Sequence, residues 1–225
     1  MADLSFRLSD DFVDNYAVQE PPFGFRDAGG NSIGEITFIR TYSRVKEDGT
    51  KERWYEVCRR VIEGMYSIQK DWATKNRLPW NANKAQSSAK EAYDRLFNLK
   101  WTPPGRGLWV TGTDLIHERG IVAGLYNCSF VSTSDIDKHD PGAIFAWVMD
   151  ALMLGVGVGF DTRGAEKNIK VSARVPDDYV YTIPDTREGW GESIRLLVNS
   201  FLRTNKEVHF DYSEIRPYGE PIRGF

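Results

Sequence analysis

Apolar positions recur along this chain with the period of helices in some stretches and as compact strand-like runs in others. Trp54, Val57, Cys58, Val61, Ile62 and Met65 form one stripe of a 3.6-residue period, which predicts a helix over about 52–70. Ala85, Ala89, Ala92, Tyr93, Leu96 and Leu99 form a second stripe over about 83–99, with Pro79 marking a boundary between the two. The two helices read as an antiparallel pair. Upstream, Pro21, Pro22, Gly24, Gly29, Gly30 and Gly34 break residues 1–34 into irregular chain. Ile36, Phe38 and Ile39 suggest a short extended piece.

The pattern changes at Trp101. WTPPGRGLWVTGTD is rich in Gly, Pro and Thr and reads as loop and short strand, and LYNCSFVS at 125–132 has strand composition. Pro141 suits the first position of a helix, with Asp140 as N-cap. Ile144, Trp147, Val148, Ala151 and Leu152 give that helix its stripe, and Gly155 ends it. VGVGFD follows as a strand, then a turn near 163–168, and IKVSARV as a short strand. Asp185 is placed to cap another helix, striped by Trp190, Ile194, Leu197, Val198 and Phe201. EVHFDYSEI at 207–215 is the last strand, and the turn-rich RPYGEPIRGF leads onward. Strands alternating with helices predict a parallel α/β arrangement. The expected domains are 1–100, an extended segment with a helical annex, and 101–225, an α/β part.

Composition narrows the function. Of 225 residues, 41% are hydrophobic and 27% charged, which excludes a disordered or fibrous chain. A net charge of -3 gives no basic excess for counterion release, so no polynucleotide partner is expected. The acidic N-terminus does not read as a signal peptide, and no apolar run approaches the roughly 20 residues of a bilayer span, so no membrane partner is expected. Two cysteines, far apart, build neither a disulfide framework nor a zinc site, and a reducing cytoplasmic location is expected.

Cys58 lies on the apolar stripe of the first helix and reads as core. Cys128 follows Asn127 in a strand, where spacing alone leaves core and catalytic roles open. His117, His139 and His209 are not at metal-ligand spacing, and no metal site is expected. The run Gly155 to Gly159 is GxGxG after a helix, the reverse of the strand-then-helix order of a dinucleotide fingerprint. Glycines in a strand admit a ligand or a closely packed backbone, and both readings stand. Arg163, Lys167 and Lys170 follow that strand, either as a phosphate or effector site or as a solvated loop.

Six stretches together resemble one family. They are RTYSR at 40–44, TPPGRGLWVTGTD at 102–114, YNCSFV at 126–131, GVGVGF at 155–160, PDTREGW at 184–190 and DYSEIRPYGEPIRGF at 211–225. In order and rough spacing the chain is similar to the first part of the adenosylcobalamin-dependent (class II) ribonucleoside-triphosphate reductases. The resemblance implies an N-terminal helical annex and the first half of a ten-stranded α/β barrel. It implies thiyl-radical reduction of ribonucleoside triphosphates to 2′-deoxyribonucleotides, with Cys128 as one of two reducing cysteines that end as a redox-active disulfide. Asn127, Gly157 and Gly159, with Thr102, are implied to line the nucleotide pocket.

The resemblance also implies what lies elsewhere. The thiyl cysteine, the second reducing cysteine and most of the adenosylcobalamin site belong to the family's later half. A split enzyme is therefore expected, inactive as an isolated chain. A complementary C-terminal reductase chain would complete it and relay electrons from a thioredoxin-type reductant. A dNTP effector is implied too, although only 24 residues, 161–184, stand where monomeric members carry a long insertion. Three other readings remain: a non-catalytic nucleotide-binding or regulatory fragment, a truncated or decayed gene product, and part of a reductase served by an iron-based radical subunit.

Overall fold

The computed structural model describes residues 4–24 and 26–220. The PIRGF stretch of the last motif, 221–225, lies outside the described residues. Two compact units form, Met1–Leu125 and Tyr126–Phe225, and Trp101 lies inside the first.

The first unit is helical: α1 (Asp10–Ala17), α2 (Ile33–Thr41), α3 (Trp54–Lys75), α4 (Ala82–Phe97), α5 (Gly105–Val110) and α6 (Asp114–His117). α3 and α4 are the two striped helices, and they pack on each other. Their stripes bury Val57, Cys58, Val61, Ile62, Ala89, Tyr93 and Leu96 completely. An aromatic cluster extends this core. Phe12, Tyr16, Tyr93 and Phe97 meet largely edge to face, and Phe23 stacks on Phe38 beside Trp54. The polar tips find acceptors: Trp54 Nε1 donates to Phe97 O at 2.9 Å, the Tyr93 hydroxyl to Tyr55 O at 2.8 Å and the Tyr16 hydroxyl to Asp94 Oδ1 at 3.0 Å.

Three expectations fail in this unit. Residues 10–17 are helical, not irregular. Ile36, Phe38 and Ile39 lie on helix α2, because Ser32 caps it by accepting from Glu35 N and so sets a helical start. The WTPPGRGLWVTGTD stretch contains α5, ends on the first residue of α6 and holds no strand; Pro104 stands at the N-cap of α5.

A buried ion pair ties the first two motifs together. Arg60 on α3 donates to both carboxylate oxygens of Glu52, at 2.7 and 2.9 Å. It also donates to Thr111 O at 2.6 Å and Leu108 O at 3.1 Å. Glu52 accepts in turn from Arg44 N, and Arg44 donates to Trp109 O. RTYSR and TPPGRGLWVTGTD are thus two sides of one polar lock. Gly112, at φ +78, fits because an added Cβ would meet Arg60 O at 2.2 Å.

The second unit is two strand–helix–strand units in sequence. β1 (Cys128–Val131), α7 (Ala143–Met153) and β2 (Gly157–Phe160) make the first, and β3 (Val180–Thr182), α8 (Arg187–Leu202) and β4 (His209–Asp211) the second. β1 pairs with β2 and β3 with β4, both parallel, in two two-stranded sheets. The parallel α/β expectation holds. α7 and α8 pack on each other, and Gly142 allows it: its Cβ would meet Arg195 O at 2.3 Å.

The caps differ from expectation. Gly142 precedes α7, while Asp140 accepts from Arg195 Nε and Asn199 Nδ2, both at 2.8 Å. Thr186 caps α8, and Asp185 instead pairs with Arg216. Asp185 is taken by the Arg216 fork and Asp140 by Arg195 Nε together with the Asn199 amide, so neither carboxylate serves its helix end. IKVSARV is not a strand. Only Val175 bridges Lys206 there, and the third strand forms later at 180–182.

Candidate functional site

The β1–β2 pair sets Cys128 opposite Gly157, Ser129 opposite Val158 and Phe130 opposite Gly159. Side chains alternate along a strand, so Cys128, Phe130, Gly157 and Gly159 share one face. All four are exposed. The opposite face is more covered, with Ser129, Val131 and Val158 partly buried, and α7 packs against β2. Asn127 precedes the strand, is exposed, and its carbonyl accepts from Gly157 N at 2.9 Å.

Gly157 has no internal reason to be glycine. Its φ is not positive, and an added Cβ would meet only Asn127 O at 3.6 Å, an ordinary contact. Gly159 is more constrained, with Phe130 Cδ2 at 3.3 Å from its Cβ position. Together they leave a backbone floor beside a thiol, open to close approach by a ligand. Cys128 is a free, exposed thiol on that floor. Cys58 is the opposite case: it is sealed in the first unit's core, and burial pushes its thiol well above the usual value.

A polar clasp secures the C-terminal ends of β1 and β2, where ligands of α/β sheets gather. Asp161 follows β2 and accepts from Ser132 Oγ at 2.8 Å and from Thr133 N at 2.9 Å. Thr133 Oγ1 accepts from Gly164 N at 2.7 Å. Hydrogen bonds, first from Ser132 and then from Arg163 N and Thr133, hold the Asp161 carboxyl below the usual range. Sequence reading passed over this clasp. Its signal was available: hydroxyl residues directly after one strand and a carboxylate directly after its neighbour.

The remaining candidates are placed as follows. Arg163 is largely exposed, its Nε 3.7 Å from Asp161 Oδ2. Lys167 donates to Ile136 O at 2.8 Å, and Lys170 is exposed. Thr102 belongs to the first unit, exposed in the loop before α5. His117 is partly buried. Its Nε2 is buried without a hydrogen-bond partner, and burial lowers its pKa. Among the described residues no three His, Cys, Asp or Glu side chains gather as a metal site, and no helix is long and apolar enough to cross a membrane.

The last two motifs also meet. Arg216 donates to Asp185 through Nε at 2.7 Å and Nη2 at 2.9 Å, and Ile183 N donates to Asp211 O at 2.9 Å. The six stretches that carry the resemblance therefore resolve into three contacting pairs.

Residues 8–113 match the ribonucleotide reductase alpha domain family, which sets the class. Residues 160–225 match the insertion domain of B12-dependent ribonucleotide reductase. Both matches are to domains of ribonucleotide reductases, and the chain is similar to the N-terminal region of the B12-dependent enzymes.

A probable adenosylcobalamin-dependent ribonucleoside-triphosphate reductase of Dictyostelium discoideum is 45% identical over 98% of this chain, and the Euglena gracilis adenosylcobalamin-dependent ribonucleoside-triphosphate reductase is 40% identical over 98%. Each is matched over 30% of its own length. A solved B12-dependent (class II) ribonucleotide reductase superposes with a TM-score of 0.77 at 28% identity, covering 98% of this chain and 37% of the other. The chain thus spans about a third of the length of these relatives.

The match to the insertion domain runs through α8 and β4, further than the 161–184 stretch set aside for it by sequence reading. The Lactobacillus gasseri reductase aligns over 282 positions with all 225 residues, so at least 57 of its positions face no residue here. The Euglena alignment has 225 positions.

Proposed function

We propose that this chain acts as the N-terminal part of an adenosylcobalamin-dependent ribonucleoside-triphosphate reductase, with Cys128 as one of its two reducing thiols. The observation that carries the reading is the juxtaposition of the exposed Cys128 thiol with Gly157, which leaves bare backbone beside the sulfur. A ribose can settle against bare backbone there with its 2′ carbon near sulfur.

In this reading two thiols reduce one ribonucleotide. They supply two electrons and two protons: one hydrogen ends on the 2′ carbon, the other leaves with the 2′ hydroxyl as water, and the sulfurs join as a disulfide. Cys128 is one of them, and the second comes from the C-terminal part of the enzyme. Cys58 is not a candidate, because it is fully buried with a raised pKa. Asn127 holds the floor in register through its carbonyl, and Gly157 and Gly159 admit the sugar. Thr102 is proposed as a further substrate contact, supported by its exposure in the TPPGRG loop. A thioredoxin-type reductant restores the thiols through the C-terminal part.

Adenosylcobalamin, named for the relatives, supplies the radical when bound to the whole enzyme. Four clefts of the described residues are half-open surface grooves of about 300–410 Å³, and the cofactor is read as bound mainly by the missing half. Its site is assigned to the remainder of the enzyme, and no step of this chain is routed through it.

The β1–β2 and β3–β4 pairs are read as strands of the first half of a ten-stranded barrel, completed by the complementary C-terminal part. The open surface supports this: Phe130, Phe145, Trp147, Leu152 and Phe160 are all exposed, from 39% to 68%. A dNTP effector is proposed for the second unit. Arg163 is the better placed cation for it, because the Lys167 ammonium is already engaged by Ile136 O.

The test is Cys128→Ser in the full-length reductase, assayed for deoxyribonucleotide formation from each ribonucleoside triphosphate. The expected result is loss of turnover by a factor of about a thousand or more, with nucleotide affinity retained. Wild-type turnover in the variant would remove the assignment. Binding without any turnover in the unmutated enzyme would favour a nucleotide-binding module.

A further inference from the structure

We infer that the outer face of α2 is a docking ridge for a segment of the C-terminal remainder of the reductase. α2 turns Phe38 inward, 5% exposed, against Phe23 and Trp54. It turns three isoleucines outward: Ile33 at 84%, Ile36 at 54% and Ile39 at 45% exposure. Their i, i+3, i+6 spacing puts them on one side of the helix. Single exposed isoleucines are ordinary, but three in a row on a nine-residue helix make a continuous apolar ridge.

The ridge is rigid and flanked by room. Ser32 caps its start and Lys51 Nζ donates to Ile39 O at 2.7 Å at its end. A cleft of about 370 Å³ runs along Ile33 and Ile36, and another of about 300 Å³ lies along Phe38 and Ile39. A helix with two clefts beside it fits an extended or helical segment lying along it.

Interface size identifies the occupant. A stable complex between independent molecules buries roughly 800 Å² per partner, more than three isoleucines offer. A segment of the same enzyme needs far less, because tethering supplies an effective concentration of about millimolar. The relatives extend well beyond the matched region, which is 30% of the Dictyostelium and Euglena proteins, so ample chain exists to supply it. The inference rests on the family reading only in taking that remainder to be present.

The test is thiol labelling of the full-length reductase carrying Ile36→Cys, and separately Ile33→Cys, read by peptide mass spectrometry. Asp48→Cys, in the exposed 46–50 turn, is the reference. Both α2 positions are expected to label at least about tenfold more slowly than the reference. Any smaller difference overturns the inference, as does protection that appears only at high protein concentration, which would point to a second copy. Labelling needs no turnover. An inactive enzyme that still protects α2 would count against the proposed function and leave this inference standing.

Discussion

Cys128 and Gly157 are direct neighbours across the β1–β2 ladder, a thiol beside a position whose missing side chain the fold does not require. If a nucleotide explains the gap, filling it should harm binding and spare the fold. Gly157→Val is expected to shift the melting temperature by less than about 2 °C and to weaken nucleotide binding at least about tenfold. Calorimetric titration and thermal unfolding of the full-length protein check both. Unchanged affinity would leave Gly157 without a ligand role.

The Glu52–Arg60 lock makes a prediction about stability. Arg60 is 4% exposed and Glu52 7%, and Arg60 also satisfies the carbonyls of Leu108 in α5 and of its C-cap Thr111. Arg60→Leu leaves a buried carboxylate without its fork. A loss of about 3–5 kcal/mol is expected in urea unfolding. A loss below about 1 kcal/mol would show that water replaces the guanidinium at no penalty.

Cys58 predicts a pH dependence. Its thiol is raised above the ordinary value of 9.0 by burial, so the fold favours the neutral form. That contribution is complete below pH 9 and is lost as pH rises beyond it, because the unfolded chain gives up the proton first. Tyr16, raised from 10.0 to about 12, mainly by burial, adds a similar loss starting one unit higher. The unfolding free energy from urea titrations should therefore fall between pH 8.5 and 10 with a slope approaching about 1.4 kcal/mol per pH unit. Cys58→Val should flatten that part of the curve. The same slope in the variant would assign it to other groups.

Much of this was legible in the sequence. α3, α4 and α8 announced themselves through long 3.6-residue stripes, and β1 and β2 through short apolar runs around Cys128 and the glycines. What escaped notice was short or long-range. α2 is nine residues with Ile36, Phe38 and Ile39 close together, a pattern a strand also satisfies; only Ser32 and Glu35, three apart, marked the cap. α5 was hidden by its prolines and glycines. Arg60 sits on the apolar stripe between Val57 and Val61, where composition argues for solvent and geometry delivers Glu52 from outside the helix. Asp140 and Asp185 looked like caps because their arginine partners lie 55 and 31 residues away. The Ser132–Thr133–Asp161 clasp spans 28 to 29 residues, beyond any local pattern.

The central claim is that Cys128 gives up its hydrogen and electron to the substrate, and one experiment reads that event itself. The full-length reductase, fully reduced and freed of external reductant, is allowed a single turnover with a ribonucleoside triphosphate. Alkylation and peptide mapping then follow. Cys128 should be found in a disulfide with a cysteine of the C-terminal part, in proportion to the deoxyribonucleotide formed, while Cys58 remains a thiol. Deoxyribonucleotide produced with Cys128 still fully alkylatable would contradict the account.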